Sequence, residues 1–152
     1  IYGMTSGQYS PMTPTGKIAT TAPYGHIEEP FDLCELVFAA GASLVGRGAA
    51  YHSGPLSRLI AKAIATDGFA FVEAVSQCPT YFGRRNKMKN ALAMLDWQKE
   101  HAVTKKAASR LSPEELADKF VIGELGTRTR PEYTKRYESI IAAAAKETDE
   151  NV

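Results

Sequence analysis

The chain has 152 residues, 44% of them hydrophobic and 23% charged, the balance of an ordinary globular domain with room for one core. Its 18 basic and 17 acidic residues leave a net charge of +1, which argues against nucleic acid or an anionic membrane as the main partner. No apolar run approaches the roughly 20 residues that span a bilayer, and nothing at the start resembles a cleavable signal, so the expected location is the cytoplasm. The first residue, Ile1, stands in an apparent strand-to-loop transition, and the expectation is the C-terminal portion of something longer.

The opening stretch, residues 1–11, combines Gly3 and Gly7 with Thr5, Ser6 and Gln8 directly after the apparent strand end. Glycines let the backbone approach a ligand closely, and successive N–H groups in such a loop can cradle phosphate oxygens. A plain glycine- and serine-rich turn is the competing reading. Residues 11–30 carry four prolines without helical or strand periodicity, which predicts an ordered, extended loop whose threonines lie on a polar surface.

From Asp32, a capping residue, Leu33, Leu36, Val37 and Ala40 predict a helical face that ends at Gly41, with Cys34 off that face and without a role. Residues 43–49 read as a short strand weakened by glycines. Ser53, Gly54 and Pro55 open a helix with Leu56, Leu59, Ile60, Ala63 and Ile64 as its buried stripe, and Gly68 closes it. Residues 69–75 are almost wholly apolar and predict a central parallel strand covered on both faces, completing a right-handed crossover.

Cys78 follows that strand, where ligands gather in open α/β sheets. The nearby cations Arg84 and Arg85 would favour its thiolate, the form that binds metal, although a structural cysteine is the blander reading. A helix with Met88, Ala91, Leu92 and Leu95 inward is predicted to run through His101 towards Ala108. Ser112 starts a short helix, residues 120–125 form a brief extended piece, and Pro131 begins a last helix with Tyr133, Tyr137, Ile140, Ile141 and Ala144 on one face and a tail that should fray. His26, His52 and His101 show no metal-ligand spacing, and adjacent Glu28 and Glu29 should diverge rather than pair. Arg47, Arg84 and Arg85 are candidates for meeting an anion.

Residues 1–16, then Glu29-Pro30-Phe31-Asp32, then residues 68–73 and Ser76-Gln77-Cys78-Pro79-Thr80, resemble in order the C-terminal half of the β subunit of 2-oxoacid:ferredoxin oxidoreductases. Residues 86–103, with Trp97-Gln98-Lys99-Glu100-His101, most resemble the 2-oxoglutarate branch. The resemblance implies an α/β fold, a thiamine-diphosphate-binding Rossmann-like parallel sheet flanked by helices, over residues 1–98, and a mostly helical C-terminal extension over 99–152.

It further implies thiamine diphosphate, Mg2+ and an Fe4S4 cluster as cofactors. Ile1 matches the carbonyl that ligates Mg2+, Gly3, Met4, Thr5 and Ser6 match positions at the cofactor, and Cys78 matches the fourth cysteine of the cluster. Some relatives carry lysine where Ser6 stands. The Gly-Asp-Gly motif, its companion asparagine and the other three cysteines are absent, so the chain holds half of each site. The implied activity is coenzyme A-dependent oxidative decarboxylation of a 2-oxoacid, with electrons leaving through the cluster to ferredoxin. Its partners would be the N-terminal half, an α subunit and, in some assemblies, a γ subunit. The rival expectation is a non-catalytic α/β binding or assembly module of the same descent.

Overall fold

A computed structural model describes the backbone of residues 1–88 and 90–150, with side-chain surroundings through residue 146. The fold is α/β. Helix α1 (Leu33–Ala39) leads to β1 (Leu44–Ala49), a short 3-10 turn leads to α2 (Ser53–Ile64), and β2 (Ala70–Val75) follows. After a single π-type turn over Pro79–Gly83 come α3 (Ala91–His101), β3 (Ala102–Thr104), α4 (Lys105–Ala108), α5 (Pro113–Leu116), β4 (Phe120–Thr127) and α6 (Tyr133–Glu150). Among the described residues no helix is long and apolar enough to cross a membrane.

The four strands make one sheet in the order β2-β1-β4-β3. β1 and β2 are parallel with Leu44 opposite Ala70, as the crossover predicts. β4 runs antiparallel to β1 and parallel to β3, so the sheet is mixed. The stretch expected as a helical extension thus holds two strands, and β4 lies directly beside β1.

Local chemistry explains the first element. Asp32 caps α1 by accepting from the Glu35 amide at 3.0 Å, and Gly41 takes φ +106 just past the helix end. The inward face differs from the one expected, since Cys34 is buried while Leu36 and Ala40 face solvent. Cys34, Ala42 and Val45 form a core cluster against which Val37, Phe38, Phe71 and Leu125 pack. The Cys34–Val37–Phe38 stripe is the face that packs against β1 and Phe71.

The glycines of β1 are functional in packing. A Cβ on Gly46 would stand 2.7 Å from Leu59 Cδ2, and one on Gly48 would stand 2.6 Å from Leu56 Cδ1. Their absence lets α2 lie close on the sheet, with Leu59 buried. Ile60 and Ile64, expected in the buried stripe, are exposed.

β2 is an edge strand and not a central one. Its residues are half-buried or exposed, and among the described residues β1 is its one strand partner. The helix expected to continue past His101 stops there, since Val103 and its neighbours pair with β4 instead. Its inward face is Met94 and Gln98, while Ala91 and Leu92 are exposed. α6 begins at Tyr133, and Tyr133, Tyr137, Ile140 and Ile141 are all exposed. The tail expected to fray ends in residues 151 and 152, which lie outside the described residues.

Candidate functional site

The opening loop is a tight hairpin. The Tyr2 amide donates to the Gln8 carbonyl at 2.8 Å, the Gly7 amide to the Tyr2 carbonyl at 2.7 Å, and the Ser6 amide to the Gly3 carbonyl at 3.3 Å. Closing so short a turn puts Ser6 and Gly7 at φ +88 and +89. The Thr5 hydroxyl donates to Gln8 Oε1 at 2.6 Å, and Thr20 holds the turn from behind, its hydroxyl on the Ser6 carbonyl and its amide on the Gly7 carbonyl. Met4, at the tip, is fully exposed. Among the described residues the amides of Met4 and Thr5 donate to no protein acceptor.

The long loop behind this hairpin is ordered by its own bonds. The Gly16 and Lys17 backbones exchange bonds with that of His26, and the Phe31 amide reaches the Pro11 carbonyl. Thr13, expected on a polar surface, is instead 1% exposed, and its hydroxyl accepts from the Ser10 amide at 2.9 Å. A turn rich in small polar residues can bury them when each satisfies backbone. His26 is buried against Tyr9, with Glu28 3.5 Å from its Nε2.

The second stretch is the turn after β2. Cys78 precedes the π-type turn, and Gly83 closes that turn by donating from its amide to the Cys78 carbonyl at 2.9 Å. Cys78 is exposed. The amides of Phe82 and Tyr81 hold its thiol below the usual range, outweighing the effect of burial. Arg84 and Arg85 are not the cause; the first turn of backbone N–H groups does what the sequence assigned to cations. Arg85 instead lies beside Gly7, where an added Cβ would be 3.5 Å from its Nε.

The two stretches meet. A Cβ on Gly3 would stand 3.0 Å from the Tyr81 ring, so the hairpin rests on the turn that carries Cys78. Asn86 ties the Cys78 turn to the long loop: its Oδ1 accepts from the Ile18 amide at 2.8 Å and its Nδ2 donates to the Ile18 and Phe82 carbonyls at 3.1 and 3.0 Å. Ile1 and Cys78 line one cavity of about 340 Å³, together with Ser76, Lys17 and an apolar wall of Met12, Met88, Met94 and Trp97. Sequence reasoning missed Asn86 and that wall. Both belong to segments whose inward face or loop path only the tertiary structure fixes.

The remaining candidates separate from this site. Arg47 is spent in a nearly buried cluster, with Nε 2.5 Å from Glu73 Oε2 and Nη2 2.8 Å from Asp32 Oδ1. Those carboxylates saturate it, which removes it as an anion receptor. Cys34 lies in the same cluster, 3.4 Å from Glu73, with its thiol pushed up to about 12 by burial. His101 stacks on Trp97, bonds the Trp97 carbonyl at 2.7 Å and faces Asp118 at 3.4 Å, a structural role. Among the described residues no group of three or more His, Cys, Asp or Glu side chains gathers to hold a metal.

The donor set fits one wall of a cofactor site. The hairpin tip offers unengaged amides and a glycine that admits close approach, and Cys78 offers an exposed sulfur whose thiolate form is favoured. Such a loop lies at the carboxyl end of parallel strands, where α/β domains gather their ligands. Residues 1–74 match the family described as thiamine pyrophosphate enzyme, C-terminal TPP binding domain.

The chain is 48% identical over 98% of its length to the 2-oxoglutarate synthase subunit KorB of Methanothermobacter marburgensis, covering 52% of that protein. It is 48% identical over 93% of its length to the subunit of the same name from Methanocaldococcus jannaschii, again covering 52%. A solved structure of the 2-oxoglutarate:ferredoxin oxidoreductase of Magnetococcus marinus, with 2-oxoglutarate, coenzyme A and succinyl-CoA bound, superposes with a TM-score of 0.75 at 27% identity, over 95% of this chain and 50% of that one. The resemblance read from the motifs is therefore shown: the chain matches β subunits of 2-oxoacid:ferredoxin oxidoreductases. It spans about half the length of the curated relatives it matches.

Proposed function

We propose that the chain is the C-terminal half of a 2-oxoacid:ferredoxin oxidoreductase β subunit, of the 2-oxoglutarate type, and that it builds one wall of a cofactor site completed by other polypeptide. The observation that carries this reading is the shared cavity: Ile1 and Cys78, 77 positions apart in sequence, line the same space. Its frame is the domain of residues 1–98, with residues 99–152 as its C-terminal extension.

In this reading Gly3, Met4, Thr5 and Ser6 lie along thiamine diphosphate. The free amides of Met4 and Thr5 would donate to its phosphate oxygens, and Met4 would supply an apolar contact. The Ile1 carbonyl serves as one of the few protein oxygens that Mg2+ takes beside phosphate and water. Cys78 is one thiolate of an Fe4S4 cluster whose other ligands come from the missing half, and the amides of residues 80–82 stabilise its sulfur. Bound thiamine diphosphate supplies the nucleophilic carbon and the electron sink for decarboxylation. This chain's residues would hold and orient: the hairpin would bind the diphosphate, Tyr81 supports the hairpin at Gly3, Asn86 ties the Cys78 turn to the long loop at Ile18, and the methionine and tryptophan wall would exclude water. The assembly is a cytoplasmic complex with an α subunit, reacting with coenzyme A and passing electrons to ferredoxin.

The test is 2-oxoglutarate- and coenzyme A-dependent reduction of a viologen dye by the assembled complex. Activity is expected with the wild-type chain. Cys78→Ser is expected to lower iron and acid-labile sulfide and to reduce the rate by at least about 100-fold, through loss of a ligand that tunes and holds the cluster. Unchanged cluster content and activity in Cys78→Ser would favour the non-catalytic assembly module.

A further inference from the structure

Gln98 is a polar side chain set in an apolar wall. It is 2% exposed, and along the cavity it stands with Met88, Met94 and Trp97. A buried amide costs free energy unless both of its ends find partners. One end is satisfied, because Oε1 accepts from the Tyr51 amide at 3.0 Å. That bond also settles which end is which, since only the oxygen of a glutamine can meet an N–H group. Nε2 is the end left over, and among the described residues it donates to no protein acceptor. The enclosed side-chain atoms that lack a partner lie elsewhere, on His26, Ser43 and Gln77, so Nε2 is open to the cavity and not sealed in the core.

The helix turns this amide towards Cys78. Met94 and Gln98 are the two buried residues of α3 and stand one turn apart, on one face. Met94 rests on the Cys78 turn: a Cβ on Gly83 would stand 3.1 Å from its Sδ, and the Gly83 amide donates to the Cys78 carbonyl. The face that carries Gln98 therefore looks onto the turn that carries Cys78, and both residues line the same cavity. Every contact in this arrangement lies between residues 51 and 98. Of the other polar side chains on the cavity, the Lys17 ammonium can only donate and Ser76 is exposed. The anionic acceptor left for Nε2 is sulfur.

We infer that Gln98 Nε2 donates a hydrogen bond to a sulfur of the iron–sulfur cluster that Cys78 ligates, and that this bond raises the reduction potential of the cluster. The inference rests on the reading of Cys78 as a cluster ligand. Reduction adds one electron to an anionic cluster, and an N–H dipole aimed at its sulfur stabilises the added charge. The bond to Tyr51 holds the amide from behind, so the donor is in place before the electron arrives. Gln98 itself transfers neither electron nor proton.

The test is an EPR-monitored redox titration of the assembled complex, with pulsed EPR of the reduced cluster in protein carrying nitrogen-15 in its glutamine side chains. Gln98→Met keeps the length of the side chain and removes the donor. At a fixed potential it should shift the ratio of oxidised to reduced cluster by about tenfold towards oxidised, a midpoint lower by about 59 mV for one electron. Gln98→Glu keeps an oxygen for the Tyr51 amide, and with it the local fold, but carries no nitrogen. The wild-type cluster should show a nitrogen-15 coupling that both variants lose. An unshifted midpoint in Gln98→Met at equal cluster content, a wild-type spectrum without the coupling, or a coupling that survives in Gln98→Glu would each overturn the inference. A purely structural Gln98 would lower the melting temperature of Gln98→Met and leave midpoint and coupling alone. Those outcomes occur with the cluster in place and leave the functional reading standing. A wild-type complex without iron and acid-labile sulfide would overturn that reading, and this inference with it.

Discussion

The two cysteines show how far identical side chains can diverge. Cys78 sits exposed at the start of a turn whose amides favour its thiolate, while Cys34 lies buried beside Glu73 with its thiol raised to about 12. Iodoacetamide at pH 7 should therefore alkylate Cys78 in the native chain and reach Cys34 only after unfolding, as read by mass spectrometry. The rate at Cys78 should rise with pH and level off below the ordinary thiol range. A native chain labelled at Cys34 would contradict this. A depressed thiol also stabilises the fold, fully so above the ordinary thiol pKa and not at all once pH falls below the native one.

Arg47 makes the complementary prediction. Burial pushes the Asp32 carboxyl up, but the hydrogen bonds from Arg47 and the Glu35 amide outweigh it and hold it low. Arg47→Met should cost about 2–4 kcal/mol at neutral pH, less than a fully buried pair because Asp32 is partly exposed. Asp32's share is present above the ordinary carboxylate range and is lost as pH falls through its lowered native value. Urea midpoints of wild type and variant should therefore stay apart from pH 7 down to about 5 and converge only as pH falls below about 4. The pairing of Arg47 with two carboxylates was not legible in sequence, since Asp32 and Glu73 lie 15 and 26 positions away.

Among the elements, β1 was legible as a strand but its glycines were misread as weaknesses. They are the surface on which α2 lies, with Leu56 and Leu59 in the space a Cβ would fill. Gly46→Ala should cost about 1–3 kcal/mol, since the Gly123 carbonyl 3.0 Å away is backbone and cannot yield. The same substitution at Gly54, inside α2 and with ordinary contact at 3.6 Å, should be neutral or stabilising by up to about 1 kcal/mol. Thermal melts should thus fall for Gly46→Ala and hold or rise for Gly54→Ala.

The cap of α1 and the β1–α2–β2 crossover followed from local chemistry and periodicity. The inward faces of α1, α2 and α3 did not, because apolar residues such as Leu36, Ile64 and Leu92 lie outside the stripe that reaches this chain's own core. β4 read as a brief extended piece because Gly123 and Gly126 interrupt its alternation. A Cβ on Gly126 would strike the Phe38 ring at 2.7 Å, so that glycine too is a packing requirement.

For the molecule as a whole, two of the stretches that carried the resemblance meet at one cavity, residues 1–16 through Ile1 and Met12 and residues 76–80 through Ser76 and Cys78. That convergence was expected only by analogy, since residues 1–8 and 76–80 share no local pattern. The most direct test of the account is calorimetric titration of thiamine diphosphate, in Mg2+, into the complex of this chain with the complementary half of a KorB subunit. One cofactor should bind per complex, and binding should be lost when Gly3→Val pushes the hairpin off Tyr81. No binding by the wild-type complex, or binding indifferent to Gly3→Val, would contradict it.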